Sequence, residues 1–201
     1  MMDVALWTFV FVSGSVAAAR LAIKPTASVR PLAVWIVAML LTRPEAFYLC
    51  LVWIVAIVIA RFKQGCPFSE ICHRVKGLLA IYLVTVVCLT AGRYFYFGYP
   101  LPNTYYAKVS SDLAYNFKLG IGYFIEFAKA QPWAAVVLLL NVVLLIKTLR
   151  QNWQVDQSSE GVPSSQQATA VLACISVLAV VAPVLTGGDH FNYFRFFILI
   201  F

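Results

Sequence analysis

ATAVLACISVLAVVAPVL, residues 168–185, carries no charged side chain from end to end. It lacks the strict apolar–polar alternation of a barrel strand, so it reads as a helix built for an apolar solvent. Its length falls just short of the roughly 20 residues that an untilted membrane crossing needs. Flanking aromatic and charged side chains then reach the interface by snorkelling. Comparable apolar runs fill 4–19, 32–41, 46–60, 78–91 and 133–146, and a further one begins at 196. With 62% hydrophobic and only 11% charged residues, 201 residues cannot enclose this much apolar surface in a water-soluble ball. The expectation is an all-α, polytopic helical membrane protein, with about six or seven hydrophobic segments, some of them short and broken.

The first run has no basic residues before it, and Arg20 follows it, so it reads as a retained span and not as a cleaved signal. FRFFILIF, residues 194–201, ends inside a hydrophobic run. The sequence is therefore expected to be a single transmembrane domain over 1–201, truncated at both ends. One linker-like stretch, rich in Gln and Ser, covers 151–167.

The net charge of +7 follows a membrane pattern. Arg20, Lys24, Arg30, Arg61, Lys63, Arg74, Lys76, Lys147 and Arg150 fall in 20–30, 61–76 and 147–167, which assigns these loops, including 151–167, to the cytoplasm. The basic residues do not gather in one patch with readout residues between them, so no nucleic-acid partner is expected. The amino terminus, TRPE (42–45), the long 92–131 segment and GGDHFNYFR (187–195) then share one outer face. This placement depends on 31–60 being two short helices broken at Arg43-Pro44-Glu45, which is preferred to one interrupted span. The five cysteines have no metal-site spacing and read as reduced thiols.

Three polar stretches occupy that outer face. In 42–45 a proline suits the first turn of the following helix, with Glu45 near its positive end. A structural reading pairs Arg43 with Glu45 at a helix boundary. A functional reading has a buried Arg43 facing an anionic ligand, since an unpaired charge costs roughly 2.5–3.5 kcal/mol at the bilayer centre. In 92–131, twelve of the chain's thirty aromatic residues crowd into 94–127, as in an outer interfacial layer. Ile121, Phe124, Ile125 and Ala128 follow a helical period, so 111–131 is expected to hold a juxtamembrane helix lying flat. Pro100 and Pro102 force an extended turn that Asn103 and Thr104 close locally, presenting Arg93, Tyr105, Tyr106 and Lys108. At 187–190, paired glycines end a span beside Asp189 and His190, with Arg195 beyond. A solvated helix end is the plain alternative there.

Taken in order, these motifs resemble the GT-C superfamily of polytopic glycosyltransferases, which use polyprenyl-phosphate sugar donors. They are most similar to the group containing the mycobacterial terminal arabinofuranosyltransferases. RYFYFGYPLPNTYYAK, 93–108, is similar to the aromatic–Gly–x–Pro–x–Pro–Asn–Thr–x–Tyr–Ala–Lys signature of that group. Arg43-Pro44-Glu45 resembles its Arg-Pro-Glu helix start, and Gly187-Gly188-Asp189 its Gly-Gly-Asp before a downstream Arg, here Arg195. Met2-Asp3-Val4-Ala5-Leu6 resembles the outer start of an internal span. The acidic pair of the superfamily's first outer loop, which supplies the catalytic carboxylate, has no counterpart among the 201 residues.

The resemblance implies a GT-C-like transmembrane core in the inner or plasma membrane, with the motifs on the extracytoplasmic side. It implies three partners: the lipid bilayer, a polyprenyl-phosphate sugar donor and a glycan acceptor. Arg43, Glu45, Arg93, Tyr94, Tyr99, Asn103, Thr104, Tyr105, Tyr106, Lys108, His190 and Arg195 would bind substrate. Asp189 would orient the acceptor or bind a divalent cation, and Asp3 is a further catalytic candidate. A non-catalytic protein that binds or flips lipid-linked sugars is the alternative, as is an inactive remnant.

Overall fold

A computed structural model describes residues 2–24, 26–43, 46–100, 112–150 and 165–187. Among these residues every regular element is an α-helix: α1 Met2–Ile23, α2 Arg30–Thr42, α3 Ala46–Lys63, α4 Phe68–Phe97, α5 Leu113–Ala130, α6 Pro132–Arg150 and α7 Ser165–Thr186. Five of them, α1, α3, α4, α6 and α7, are long and apolar enough to cross a membrane. The run at 32–41 forms the shorter apolar helix α2.

The helix boundaries follow from local chemistry. Pro31 sits in the first turn of α2, where a missing N–H costs nothing. At the other end, Pro44 disfavours helical geometry for the residue before it, and Arg43 is accordingly extended at φ −151°, ψ 151°. The interrupted stretch 31–60 is therefore two helices, and the second, at 18 residues, is not short. Gly98 closes α4 in the left-handed conformation, with φ 75° and its N–H on the Tyr94 carbonyl at 2.9 Å. Asp112 caps α5, its Oδ1 accepting from the N–H groups of Ala114 (2.9 Å) and Tyr115 (3.2 Å).

Helix α3 is apolar on all sides and lies at the centre, packed by α1, α2, α4 and α7. Its contacts fix the direction of its neighbours. Trp53 stacks on Phe11 at 5.8 Å and donates its indole N–H to Ser15 Oγ at 3.0 Å, while Arg61 Nη2 reaches the Leu21 carbonyl at 3.0 Å. Both sets of numbers rise together, so α1 and α3 run parallel. A methyl group on Gly14 would lie 2.2 Å from Trp53 Cη2, so only glycine lets this ring seat. Tyr48 donates to the Leu178 carbonyl at 2.6 Å, whereas Ala60 and Ala170 line one small cavity, so α7 is antiparallel to α3.

As a result α1, α3 and α6 end, and α2, α4 and α7 begin, at one end of the bundle. That end holds the nine basic residues of 20–30, 61–76 and 147–150 and is called the basic end below. The opposite, motif end holds Met2, the α2–α3 turn, the end of α4, the helix α5 and the end of α7.

Candidate functional site

The α2–α3 turn at the motif end is short because Arg43 is extended and the Ala46 N–H returns to the Arg43 carbonyl at 3.1 Å. Thr42 Oγ1 ties back to the Met39 carbonyl at 2.6 Å. The Arg43 guanidinium lies over the Trp7 ring, 4.8 Å from its centroid. A partly desolvated cation–π contact of this kind contributes about 0.5–2 kcal/mol and orients the charge. Trp7 is 1% exposed, and its Nε1 is buried without a hydrogen-bond partner among the described residues. Half-buried Arg43 thus sits beside the start of the central helix, where the helix dipole adds positive potential. A cation at such a point is suited to a phosphate.

This turn is set back from its surroundings. Tyr82 donates to the Phe47 carbonyl at 3.1 Å, so it is level with the first turn of α3. Residues 83–97 of α4 continue for about 22 Å of helix beyond that level. Similarly, Tyr48 meets α7 at Leu178, and residues 179–186 carry α7 about 12 Å further. Helix α1 begins one to two turns above Trp7. The start of α3 and Arg43 therefore form a floor, with the ends of α1, α4 and α7 as taller sides. Helices α1, α2 and α4 follow one another around α3, and α7 returns to α1 on the other side.

Arg93 is on α4, about 16 Å further along the bundle than the floor by helical rise. It is half-buried and its Nη1 has no partner among the described residues. Arg43 and Arg93 are thus at different depths and are not brought into one cluster. The extended segment expected to hold Arg93 is helical through Phe97. Tyr94 and Phe95 pack edge to face at 6.2 Å, and Tyr96 and Phe97 at 4.6 Å. All four rings are exposed, as is Tyr99. Asp3 falls in the first turn of α1. Glu45, Asn103, Thr104, Tyr105, Tyr106, Lys108, Asp189, His190 and Arg195 lie outside the described residues. No group of three or more metal-ligating side chains occurs among the described residues.

Two contacts not evident from the sequence set the rim. Gly187 ends α7 at φ 88° and lies against Asn116 and Leu119 of α5, so the first glycine of Gly-Gly-Asp is a helix terminator seated on a neighbour. Gly120 is closer still, because a methyl group there would lie 1.9 Å from the Val184 carbonyl oxygen. Helix α5 occurs within 111–131 as expected, but it runs antiparallel along the last turns of α7 and does not lie flat; its inward face is Asn116, Gly120, Tyr123 and Phe127. Ile121 and Ile125, from the expected apolar stripe, are exposed. The Asn116/Gly120 pair, four residues apart in an amphipathic helix, is the signal that marks the packing face. No family model, curated protein or solved structure matches the chain.

Proposed function

We propose that this chain is a polytopic inner- or plasma-membrane protein with a GT-C-like core. In this reading it supplies part of the active site of a glycosyltransferase that moves a sugar from a polyprenyl-phosphate donor to an extracytoplasmic glycan. Support for the bilayer comes from the outer helices: Leu83, Val84 and Val87 of α4 and Val136, Leu139 and Val143 of α6 are all more than half exposed. Apolar exteriors of that extent favour lipid over water as solvent.

The observation that carries the catalytic reading is the recessed Arg43 on Trp7 at the start of the central helix. Transfer from a lipid-linked phosphate needs a fixed cation where the leaving phosphate gains charge, in a site that excludes bulk water. Arg43 meets that need, and the exposed rings of Tyr94, Phe95, Tyr96 and Phe97 suit a polyprenyl chain and the face of a sugar. Lys108 is a second phosphate partner, and Asp189 and Asp3 are carboxylates for the acceptor hydroxyl. A non-catalytic protein that binds or flips lipid-linked sugars is favoured by one observation, that no Asp-Asp or Asp-Glu pair occurs in the 201 residues.

Membranes carrying the chain joined to an outer loop that supplies the acidic pair, given radiolabelled polyprenyl-phosphate sugar, distinguish the readings. Transfer is expected for the parent, with a loss of about 10²-fold or more in Arg43→Gln and Lys108→Gln, the range seen when a transition-state charge partner is removed. Full activity in both variants rejects the role given to these cations. Donor retention with no transfer by the parent selects the binding protein.

A further inference from the structure

The cations of the basic end divide into two kinds. Some hold the fold: Arg61 is 1% exposed and bonds the Leu21 carbonyl, and Lys63 Nζ donates to the Leu149 carbonyl. Both offset the negative ends of helices that terminate here. Others, including Lys24 and Arg30, are exposed. The two kinds meet where the connection between α1 and α2 lies against the first turns of α4. Arg74 reaches from α4 to the Lys24 and Ala27 carbonyls, both at 3.5 Å. These contacts are at the long limit for hydrogen bonds, so a stronger acceptor competes for the guanidinium readily.

Arg74 thus joins exposed Lys24 and Arg30 at one junction of helices, with buried Arg61 among the charges that act on it. The carboxylate acting on it is Glu70, one turn earlier on α4, so cations outnumber acids at this junction. Helix α2 begins here, its first N–H bonded to Ser28 Oγ at 3.3 Å, and its dipole adds positive potential. Phe62 and Phe68 are 71% and 74% exposed at the same end, apolar anchors at the level of the cations. Positive charge here, with exposed aromatic rings at the same end of the bundle, is the complement of an anionic phospholipid, with its phosphate at the cations and its acyl chains along the bundle.

We propose that the junction where Lys24 and Ala27 meet Arg74 of α4, beside Arg30, is a binding site for the phosphodiester headgroup of an anionic phospholipid. The inference rests on the bilayer reading above but not on glycosyl transfer. The test uses the full chain, reconstituted first into phosphatidylcholine vesicles and then, in detergent, exposed to equimolar phosphatidylglycerol and phosphatidylcholine, with bound lipids counted by native mass spectrometry. Phosphatidylglycerol is expected to dominate the adducts. Lys24→Gln/Arg30→Gln is expected to weaken its binding about 25-fold, at roughly fivefold per surface cation. Lys147→Gln/Arg150→Gln, at the same end but on α6, is expected to leave the preference in place.

Equal binding of the two lipids by the parent overturns the site without recourse to any variant. Equal loss in both double variants replaces it with a diffuse cationic face. Displacement of the lipid by inorganic phosphate at the same concentration makes it a free-anion site. Failure of the parent to enter phosphatidylcholine vesicles removes the bilayer reading itself, an outcome separate from loss of lipid preference.

Discussion

Arg61 carries a full charge into an environment where it is 1% exposed, and its partners explain how. Its Nη2 bonds the Leu21 carbonyl at 3.0 Å, and its Nη1 bonds Gln64 Oε1 at 3.2 Å. Gln64 Nε2 in turn reaches the Ala22 carbonyl at 3.1 Å. The last turn of α1 therefore has its orphan carbonyls satisfied by two side chains from the end of α3. Hydrogen bonds to a charged group contribute about 1.5–3 kcal/mol each. Arg61→Leu should lower stability by about 3 kcal/mol in thermal denaturation of the detergent-solubilised protein. Arg61→Lys should recover only part of this, because a single ammonium cannot span both acceptors. A wild-type melting temperature in Arg61→Leu would show that the capping network contributes little. The sequence marks Arg61 only as one more loop cation; its burial is set by the parallel packing of α1 and α3.

At the scale of elements, glycines separate contacts that matter from positions that do not. Gly120 and Gly122 lie two residues apart on α5, yet a methyl group at the first would lie 1.9 Å from the Val184 carbonyl and one at the second would touch nothing within 4 Å. Gly120→Ala should force α5 off α7 and cost about 1–3 kcal/mol, as overpacking does. Gly122→Ala should be neutral or stabilise by up to about 1 kcal/mol through helix propensity alone. Equal melting temperatures for the two variants would place α5 away from α7. Pro183, inside α7 and one residue before Val184, belongs to the same junction. The existence of α5 was legible from its amphipathic pattern. Its inward face was not, because apolar side chains on this helix face two ways, and only contact with α7 distinguishes a packing face from an exterior one.

For the whole molecule, alternation of helix direction collects nine basic residues at one end and Arg43, the end of α4 and Gly187 at the other. Single cysteines introduced at Ser28, exposed at the basic end, and Lys118, exposed on α5, test how this axis lies across a membrane. In a background with the five native cysteines replaced, a membrane-impermeant maleimide should label Lys118→Cys in intact cells. Ser28→Cys should be labelled only after permeabilisation. The reverse pattern would turn the motif end to the cytoplasm and remove its access to an extracytoplasmic glycan. The different heights of the helices have consequences at this scale too, since α4 outreaches the α2–α3 turn by about 22 Å of helix.

The sequence by itself determined that the described chain is helical, where its apolar segments lie, that Pro44 breaks the 31–60 stretch, and which charges keep company. These are local properties, set by hydropathy, by the steric reach of proline and by the alternation of neighbouring segments. Tertiary structure alone decided that α3 is the centre, that Arg43 rests on Trp7 at a recessed floor, and that Arg93 stands at another depth. Depth depends on which residues of two helices are level. That register is fixed by contacts between distant residues, such as Tyr82 with Phe47 and Tyr48 with Leu178, and hydropathy carries no record of them.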